Sequence, residues 1–117
     1  VVQTALDVMG TPYQWGGDGE GGFDCSGLIR YAFAKHGVDL PRTSAEQARE
    51  GVMVDKDFER MRPGDILTFS SRSDQGITHV GLYIGNGLMV DAPNFGEVVQ
   101  VEPVMWDVYV GAVRIVG

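Results

Sequence analysis

Residues 79–91 read HVGLYIGNGLMVD, and this stretch decides the fold. Apolar side chains at positions 80, 82 and 84 alternate with other residues, as in a strand with one buried face. Asn86-Gly87 is the strongest short signal for a hairpin turn. A two-residue turn there predicts that Gly85 lies opposite Leu88, with partner numbers that sum to 173. This register places His79 just beyond the level of Asp91 and Ala92.

The segments around this hairpin predict the remaining elements. Upstream, we expect a helix over residues 1–9, a second helix that begins at Cys25, and a third that begins with the capping-box pattern at residues 43–46 and ends near Gly51. Pro63-Gly64 predicts a type II turn into a strand at residues 65–69. Further strands are expected at residues 98–101 and 109–115, and residues 53–61 give no clear pattern. Helices followed by hairpin-linked strands predict an α+β fold, with N-terminal helices packed on a central antiparallel sheet of about five to six strands.

Cys25 is the only cysteine of the chain, and it lies where a glycine-rich segment turns into an apolar helical run. Unpaired N–H groups and the helix dipole favour an anion at such a position. The thiolate is the nucleophilic form of cysteine, and a lone cysteine with a suitable histidine elsewhere is a candidate catalytic nucleophile. The alternative is a small buried apolar side chain, which most free cysteines are.

Two histidines are available as a base for this thiol. His36 ends the helix that Cys25 begins, so about three turns, on the order of 16 Å, separate them, and His36 is excluded. His79 lies on the hairpin near Asp91, whose carboxylate could orient the ring and stabilise its protonated form. We therefore predict a catalytic triad of Cys25, His79 and Asp91. The alternatives are a half-buried strand histidine and an aspartate that forms a turn.

Five segments, in this order, resemble the NlpC/P60 family of bacterial cell-wall cysteine peptidases. They are residues 11–17 (TPYQWGG), 23–28 (FDCSGL), 40–47 (LPRTSAEQ), 62–67 (RPGDIL) and 79–85 (HVGLYIG). The resemblance covers nearly the whole chain and implies a papain-like fold. The third catalytic residue of the family is most often histidine, whereas the matching residue here is Asp91. Asn94 and Glu97 are the neighbouring alternatives.

The resemblance also implies roles around the nucleophile. Tyr13 is expected to line the site and to assist through its hydroxyl group, although ordinary core packing would also suit this residue. Asp24 suits the N-cap of the nucleophile helix, and by resemblance Asp24 and Ser26 contact the free amine of the substrate. Arg42 is a candidate for binding a substrate carboxylate with both guanidinium nitrogens, or a solvated residue before a helix. The backbone N–H of Cys25 would help to hold the oxyanion.

Three further features border this predicted site. Trp15 either contacts the substrate or packs in the core, and the latter is the expectation because buried aromatic residues are common. Gly16 and Gly17 would let the backbone approach a ligand closely. The polar loop at residues 70–78 precedes His79, and we expect it to form one wall of the cleft and to tune specificity.

The substrate that the resemblance implies is a peptidoglycan stem peptide, cut between γ-D-glutamate and meso-diaminopimelate or lysine. No cofactor is expected. The residues alone indicate only acyl transfer, so an amidase, a lipid acyltransferase, a toxin and an inactive wall-binding module remain alternatives. A metal site formed by Cys25, His79 and Asp91 is disfavoured because the sequence lacks paired ligands at short spacing.

Composition agrees with a small enzyme and excludes other classes. The chain has 117 residues, 44% hydrophobic and 21% charged, which predicts one domain over residues 1–117. A net charge of −7 argues against nucleic-acid binding, and no apolar run approaches the roughly 20 residues of a membrane span. No signal peptide is visible, and the chain begins inside a helical pattern. We therefore expect a monomeric catalytic domain excised from a longer secreted or multidomain protein, with an extracytoplasmic location by family resemblance.

Overall fold

A six-stranded antiparallel sheet forms the centre of the computed structural model, which describes residues 1–19, 21–54, 60–70, 76–93 and 96–115. The helices are α1 (Val2–Leu6), α2 (Cys25–Ala34) and α3 (Ser44–Gln47), with a 3₁₀ turn at Trp106–Val108. The strands are β1 (Asp18–Gly19), β2 (Gly22–Phe23), β3 (Val52–Val54), β4 (Ile66–Phe69), β5 (His79–Gly85), β6 (Leu88–Asp91), β7 (Gln100–Pro103) and β8 (Tyr109–Arg114). The sheet order is β3-β8-β4-β5-β6-β7, and β1 pairs with β2 separately. The predicted α+β fold is confirmed.

The hairpin of β5 and β6 forms at the predicted turn, but its register differs from the prediction. Asn86 and Gly87 both have positive φ, 57° and 76°, as a type I′ turn requires. Gly85 pairs with Leu88 as expected, but the register then shifts, so that Tyr83 pairs with Met89. A bulge at the turn takes up one residue, and the predicted register is wrong beyond it. Asp91 is consequently level with Gly81, on the face of β5 that also carries His79.

The sheet is buried on both faces, and α2 covers one of them. Leu28 and Ile29 of α2 pack with Val80 and Leu82 of β5 in one apolar cluster. On the opposite face, Leu67, Phe69, Tyr83 and Met89 of the sheet pack with Val104 and Met105, which lead into the 3₁₀ turn. Because α2 lies against β5, the first residue of the helix comes close to the first residue of the strand.

Several elements are shorter or displaced relative to the prediction. Helix α1 ends at Leu6 rather than near residue 9, and α3 ends at Gln47 rather than near Gly51. The strand expected at residues 98–101 runs from 100 to 103, because Val99 instead exchanges backbone hydrogen bonds with residues 10 and 11. The longest helix, α2, has ten residues. In the described ranges, no helix has the length and apolar character needed to cross a membrane.

The turn before β4 holds a buried carboxylate. Gly64 has φ 98°, and the N–H of Asp65 donates to the carbonyl of Arg62, as in the predicted type II turn. The side chain of Asp65 is 2% exposed. Its Oδ2 accepts hydrogen bonds from the Arg62 N–H (2.8 Å) and from Arg114 Nη2 (2.9 Å), and its Oδ1 accepts from Arg114 Nε (2.8 Å). The start of β4 is thereby joined to the end of its neighbour β8.

Candidate active site

Cys25 is the first residue of α2, where the sequence places it, and its side chain is partly exposed. Asp24 caps the helix, since its Oδ1 accepts a hydrogen bond of 2.7 Å from the N–H of Gly27. The N–H of Gly16 donates to Oδ2 at 3.2 Å, so the same carboxylate also fixes the preceding loop. The predicted N-cap is confirmed, and the thiol lies at the positive end of the helix dipole.

Two glycines allow the backbone around Cys25 to pack closely. A Cβ atom at Gly27 would lie 2.0 Å from the carbonyl oxygen of Gly17, to which the N–H of Asp24 also donates. A Cβ at Gly17 would lie 2.5 Å from the carbonyl oxygen of Gly22. The missing Cβ of Gly17 therefore makes room for the chain's own backbone, and the close approach of Gly16 and Gly17 to a ligand stays a prediction. This backbone contact fixes the position of the first turn of α2.

His79 and Asp91 form a buried pair beside the thiol. Nε2 of His79 donates to Oδ2 of Asp91 at 2.8 Å, and the two side chains are 15% and 0% exposed. A Cβ at Gly81 would lie 3.6 Å from the Cβ of Asp91 and 2.7 Å from the sulfur of Met89. The glycine therefore leaves room for the pair. Cys25 lies close enough to His79 to act on its ring by hydrogen bonding and by charge.

The surroundings of His79 favour its protonated form. Burial lowers the pKa of His79, but hydrogen bonds to Asp91 and Cys25, together with the negative charges of both, outweigh burial and raise it to about 9. The ring is therefore an imidazolium at neutral pH. A protonated ring beside Cys25 can serve as a proton donor to a leaving group.

Two grooves meet at Cys25. The narrower one, about 420 Å³, is lined by residues that include Gly16, Asp24, Ser26, Arg42, Thr43 and Ser44. The wider one, about 590 Å³, is lined by residues that include Phe69, His79, Pro93, Glu97, Glu102 and Met105. Tyr13, Trp15, Cys25 and Thr78 line both. Thr78 belongs to the loop expected to form a cleft wall, but residues 71–75 of that loop lie outside the described residues.

Arg42 is tied to the nucleophile helix. Its Nη2 and Nη1 donate to the two carboxylate oxygens of Asp24 at 2.9 and 3.1 Å, and Nη1 also donates to Ser26 Oγ at 2.9 Å. The interpretation of Arg42 as a solvated residue is therefore wrong. Gln47, which the sequence analysis missed, is fully buried and donates to the carbonyls of Ser26 and Pro41. No local pattern marks such a buried amide.

The two aromatic residues before the nucleophile differ in exposure. Tyr13 borders both grooves, and burial, followed by the charges of Cys25 and Asp24, raises the pKa of its hydroxyl group. Trp15 is 76% exposed at the junction of the grooves, so the expectation that it packs in the core is wrong.

The other residues considered for the catalytic site are Asn94, Glu97 and His36. Asn94 lies outside the described residues. Glu97 lines the wider groove, but its carboxylate accepts a hydrogen bond from Gln100. His36 bonds to Thr4 Oγ1 at 2.8 Å and lines neither groove.

Glu102 is a residue of this site that the sequence analysis missed. It lines the wider groove, and burial, followed by the negative charge of Asp91, raises its pKa to about 7. The predicted strand at residues 98–101 ended before Glu102. A strand over residues 100–103 places Glu102 on the same face as Gln100, because residues two apart on a strand share a face. Across the described ranges, no group of three or more His, Cys, Asp and Glu side chains is arranged to hold a metal ion.

Comparisons with known proteins give one consistent result. The model of the NlpC/P60 family matches residues 10–114. Over 103 residues, 88% of this chain, the sequence is 47% identical to a protein of Mycobacterium tuberculosis (strain ATCC 25618 / H37Rv) named as a probable endopeptidase, and covers 25% of it. Over 102 residues, 86% of this chain, it is 39% identical to the gamma-D-glutamyl-L-lysine dipeptidyl-peptidase of Bacillus subtilis (strain 168), and covers 34% of it. The chain thus spans between a quarter and about a third of these two relatives.

Solved structures agree with the sequence comparisons. An NlpC/P60 family protein from Bacillus cereus superposes with a TM-score of 0.89 at 33% identity, over 100% of this chain and 41% of that one. The NlpC/P60 domain of the peptidoglycan hydrolase SagA gives 0.85 at 35% identity, over 97% of this chain and 95% of that one. The peptidoglycan hydrolase RipB of Mycobacterium tuberculosis gives 0.87 at 36% identity, over 99% and 63%.

Proposed function

Since the chain belongs to the NlpC/P60 family, we propose that it is a cysteine endopeptidase that hydrolyses peptidoglycan stem peptides between γ-D-glutamate and meso-diaminopimelate or lysine. One observation carries the proposal: a histidine that is hydrogen-bonded to a buried aspartate lies beside a cysteine at a helix start, where two grooves meet. Relatives named as an endopeptidase and as a γ-D-glutamyl-L-lysine peptidase support the bond class.

The mechanism assigns one role to each member of the triad. The thiolate of Cys25 attacks the amide carbonyl, and the backbone N–H of Cys25 donates to the resulting oxyanion. The imidazolium of His79 then gives its proton to the leaving amine, and the thioester remains on Cys25. His79, now neutral, takes a proton from water, and the hydroxide releases the acid product. Asp91 accepts the Nε2–H bond and so keeps the ring oriented throughout.

The two grooves suggest how the substrate lies. The acyl part occupies the narrower groove, where Asp24 and Ser26 bind its free amine and the hydroxyl of Tyr13 assists at the oxyanion. Arg42, whose nitrogens are engaged with Asp24 and Ser26, orients these two side chains rather than a substrate carboxylate. The leaving amine and its side chain enter the wider groove, which Cys25 and His79 line.

The cellular setting is part of the same proposal. The proposed substrate is bacterial cell wall, so we place the protein outside the cytoplasm. We also expect the protein to act as a monomer without a cofactor. Light scattering of the purified protein tests the monomer, and a mass corresponding to two chains would overturn it.

The decisive experiment uses L-Ala-γ-D-Glu-meso-diaminopimelate and its L-lysine counterpart with the wild-type protein and with Cys25→Ala. Mass spectrometry should show release of L-Ala-γ-D-Glu from at least one peptide by the wild type only. Absence of cleavage of both peptides and of intact peptidoglycan would overturn the proposal. Rapid alkylation of Cys25 would then indicate another acyl-transfer substrate, and slow alkylation a binding module.

The two histidines supply a matched control. His79→Gln should abolish cleavage, because it removes the proton donor and acceptor of the mechanism. His36→Gln changes the same residue type away from both grooves and should retain cleavage. Equal activity of the two variants would exclude His79 as the base.

A further inference from the structure

One oxygen of the catalytic aspartate lacks an ordinary hydrogen-bond donor. Asp91 is fully buried, and its Oδ2 accepts the bond from His79. In the described ranges, Oδ1 is also buried and receives no bond from an amide, hydroxyl or cationic donor. A buried carboxylate oxygen without a donor is costly, so an unpartnered one next to a catalytic histidine needs a physical explanation.

Glu102 lies where it can supply that donor. Gln100 of β7 pairs with Asp91 of β6, and Glu102 pairs with Met89. Because residues two apart on a strand share a face, Glu102 lies on the same face of the sheet as Asp91, displaced along the strand by one pair. Glu102 lines the wider groove, and the negative charge of Asp91 acts on its carboxyl group.

Three titratable groups face Glu102 and together set its pKa. They are Asp91 on β6, His79 on β5 and Glu97 in the segment before β7. Burial, the charge of Asp91 and that of Glu97 raise the pKa of Glu102, and the charge of His79 lowers it, with a result of about 7. Below that pH the carboxyl group is neutral and has one O–H to donate.

We propose that Glu102 is a positioning residue, whose protonated carboxyl group donates a hydrogen bond to Oδ1 of Asp91 and thereby holds Oδ2 against the His79 ring. The consequence for catalysis rests on the function proposed above, whereas the hydrogen bond does not. Once Glu102 ionises, the donor is lost and two carboxylates face each other, so the orientation of Asp91 is weakened. Cleavage should therefore begin to decline near pH 7, well before His79 loses its own proton.

The test compares Glu102→Gln, whose amide can donate at every pH, with Glu102→Leu, which cannot. We would measure kcat for peptide cleavage and the rate of Cys25 alkylation by iodoacetamide between pH 5 and about 9, and confirm folding by circular dichroism. Glu102→Gln should retain kcat within about twofold at pH 6 and move the alkaline decline toward pH 9, where His79 titrates. Glu102→Leu should lose about tenfold in kcat at pH 6, comparable to leaving one buried acceptor unpaired.

Glu97→Gln is the matched control, because it makes the same change in the same groove without a bond to Asp91. It should keep the decline, moved slightly to lower pH because the charge of Glu97 helps to raise the pKa of Glu102. The proposal is overturned if Glu102→Gln keeps that decline, or if Glu102→Gln and Glu102→Leu behave alike. If Glu102→Leu does not fold, the pH profile of Glu102→Gln decides alone. Alkylation needs no substrate, so a wild type that cleaves no peptide would overturn the proposed function while its alkylation profile still tests Glu102.

Discussion

Asp65 and Asp91 are both buried carboxylates of the same sheet, yet their surroundings differ. Both oxygens of Asp65 are paired, with the guanidinium of Arg114 and a backbone N–H. Asp91 has one oxygen on His79 and the other without an ordinary donor in the described part of the chain. Complete pairing makes Asp65 an anchor between β4 and β8. Incomplete pairing leaves the orientation of the Asp91 carboxylate dependent on its titratable neighbours. This suits a residue that acts through a histidine.

The largest effect expected from this difference is on catalysis. Asp91→Asn removes the charge that stabilises the imidazolium, so kcat should fall by roughly 10³–10⁴-fold, as it does when a triad aspartate is replaced elsewhere. Peptide cleavage by a variant that circular dichroism shows to be folded measures this. A loss below about tenfold would show that Asp91 is not the third catalytic member.

Asp65 should affect stability instead. Asp65→Ala removes the acceptor of the Arg114 guanidinium and of the Arg62 N–H at the start of β4, so the protein should unfold at a clearly lower urea concentration. Urea denaturation measures the change, and kcat of the folded fraction should stay within about twofold of wild type. A large loss of kcat at unchanged stability would reverse the roles assigned to the two aspartates.

The pH dependence of stability should separate the two sites further. The pKa of His79 is raised to about 9 in the folded state from about 6.5 when unfolded. The resulting stabilisation, on the order of 3 kcal/mol, is complete below pH 6.5 and is lost as pH rises through 9. Urea titrations at pH 6 and at about pH 9 measure the loss. Asp91→Asn should lower the folded-state pKa of His79 and so narrow the pH range over which stability is lost. If this range is unchanged in Asp91→Asn, Asp91 does not stabilise the protonated form of His79.

The smallest effect is expected from filling the space that Gly81 leaves beside Asp91. Gly81→Ala places a methyl group against the Met89 sulfur and the Cβ of Asp91. Because the Met89 side chain can yield, the cost should be about 1 kcal/mol, accompanied by a lower kcat. Gly111→Ala on β8 is the matched control, since its Cβ would meet nothing within 4 Å. Equal stability and activity in both variants would show that the space at Gly81 is not needed.

The features that local sequence determines were predicted well. The Asn86-Gly87 turn, the Pro63-Gly64 turn and the cap at Asp24 formed as expected, because each depends on neighbouring residues. The family resemblance and the alternation of β5 were sufficient to select Cys25, His79 and Asp91, and the structure brings these three side chains together.

The features that depend on distant contacts were missed. The bulge before Asn86 shifts the register by one residue, and no local pattern reveals it. Residues 10 and 11 pair with Val99 and so delay the start of β7. That delay concealed the position of Glu102 on the face of Asp91. Arg42 pairs with Asp24 across 18 positions, a contact that spacing does not predict.

The exposure of Trp15 has an optical consequence. The chain contains two tryptophans, and Trp15 lies 76% exposed where the two grooves join. Trp106 lines a separate cavity with Tyr83, Asn86 and Gly87. A peptide that crosses the site would cover the indole of Trp15 and leave the solvent exposure of the Trp106 indole unchanged. The protein therefore carries its own fluorescent probe, and Cys25→Ala would report substrate binding as a blue shift without turnover.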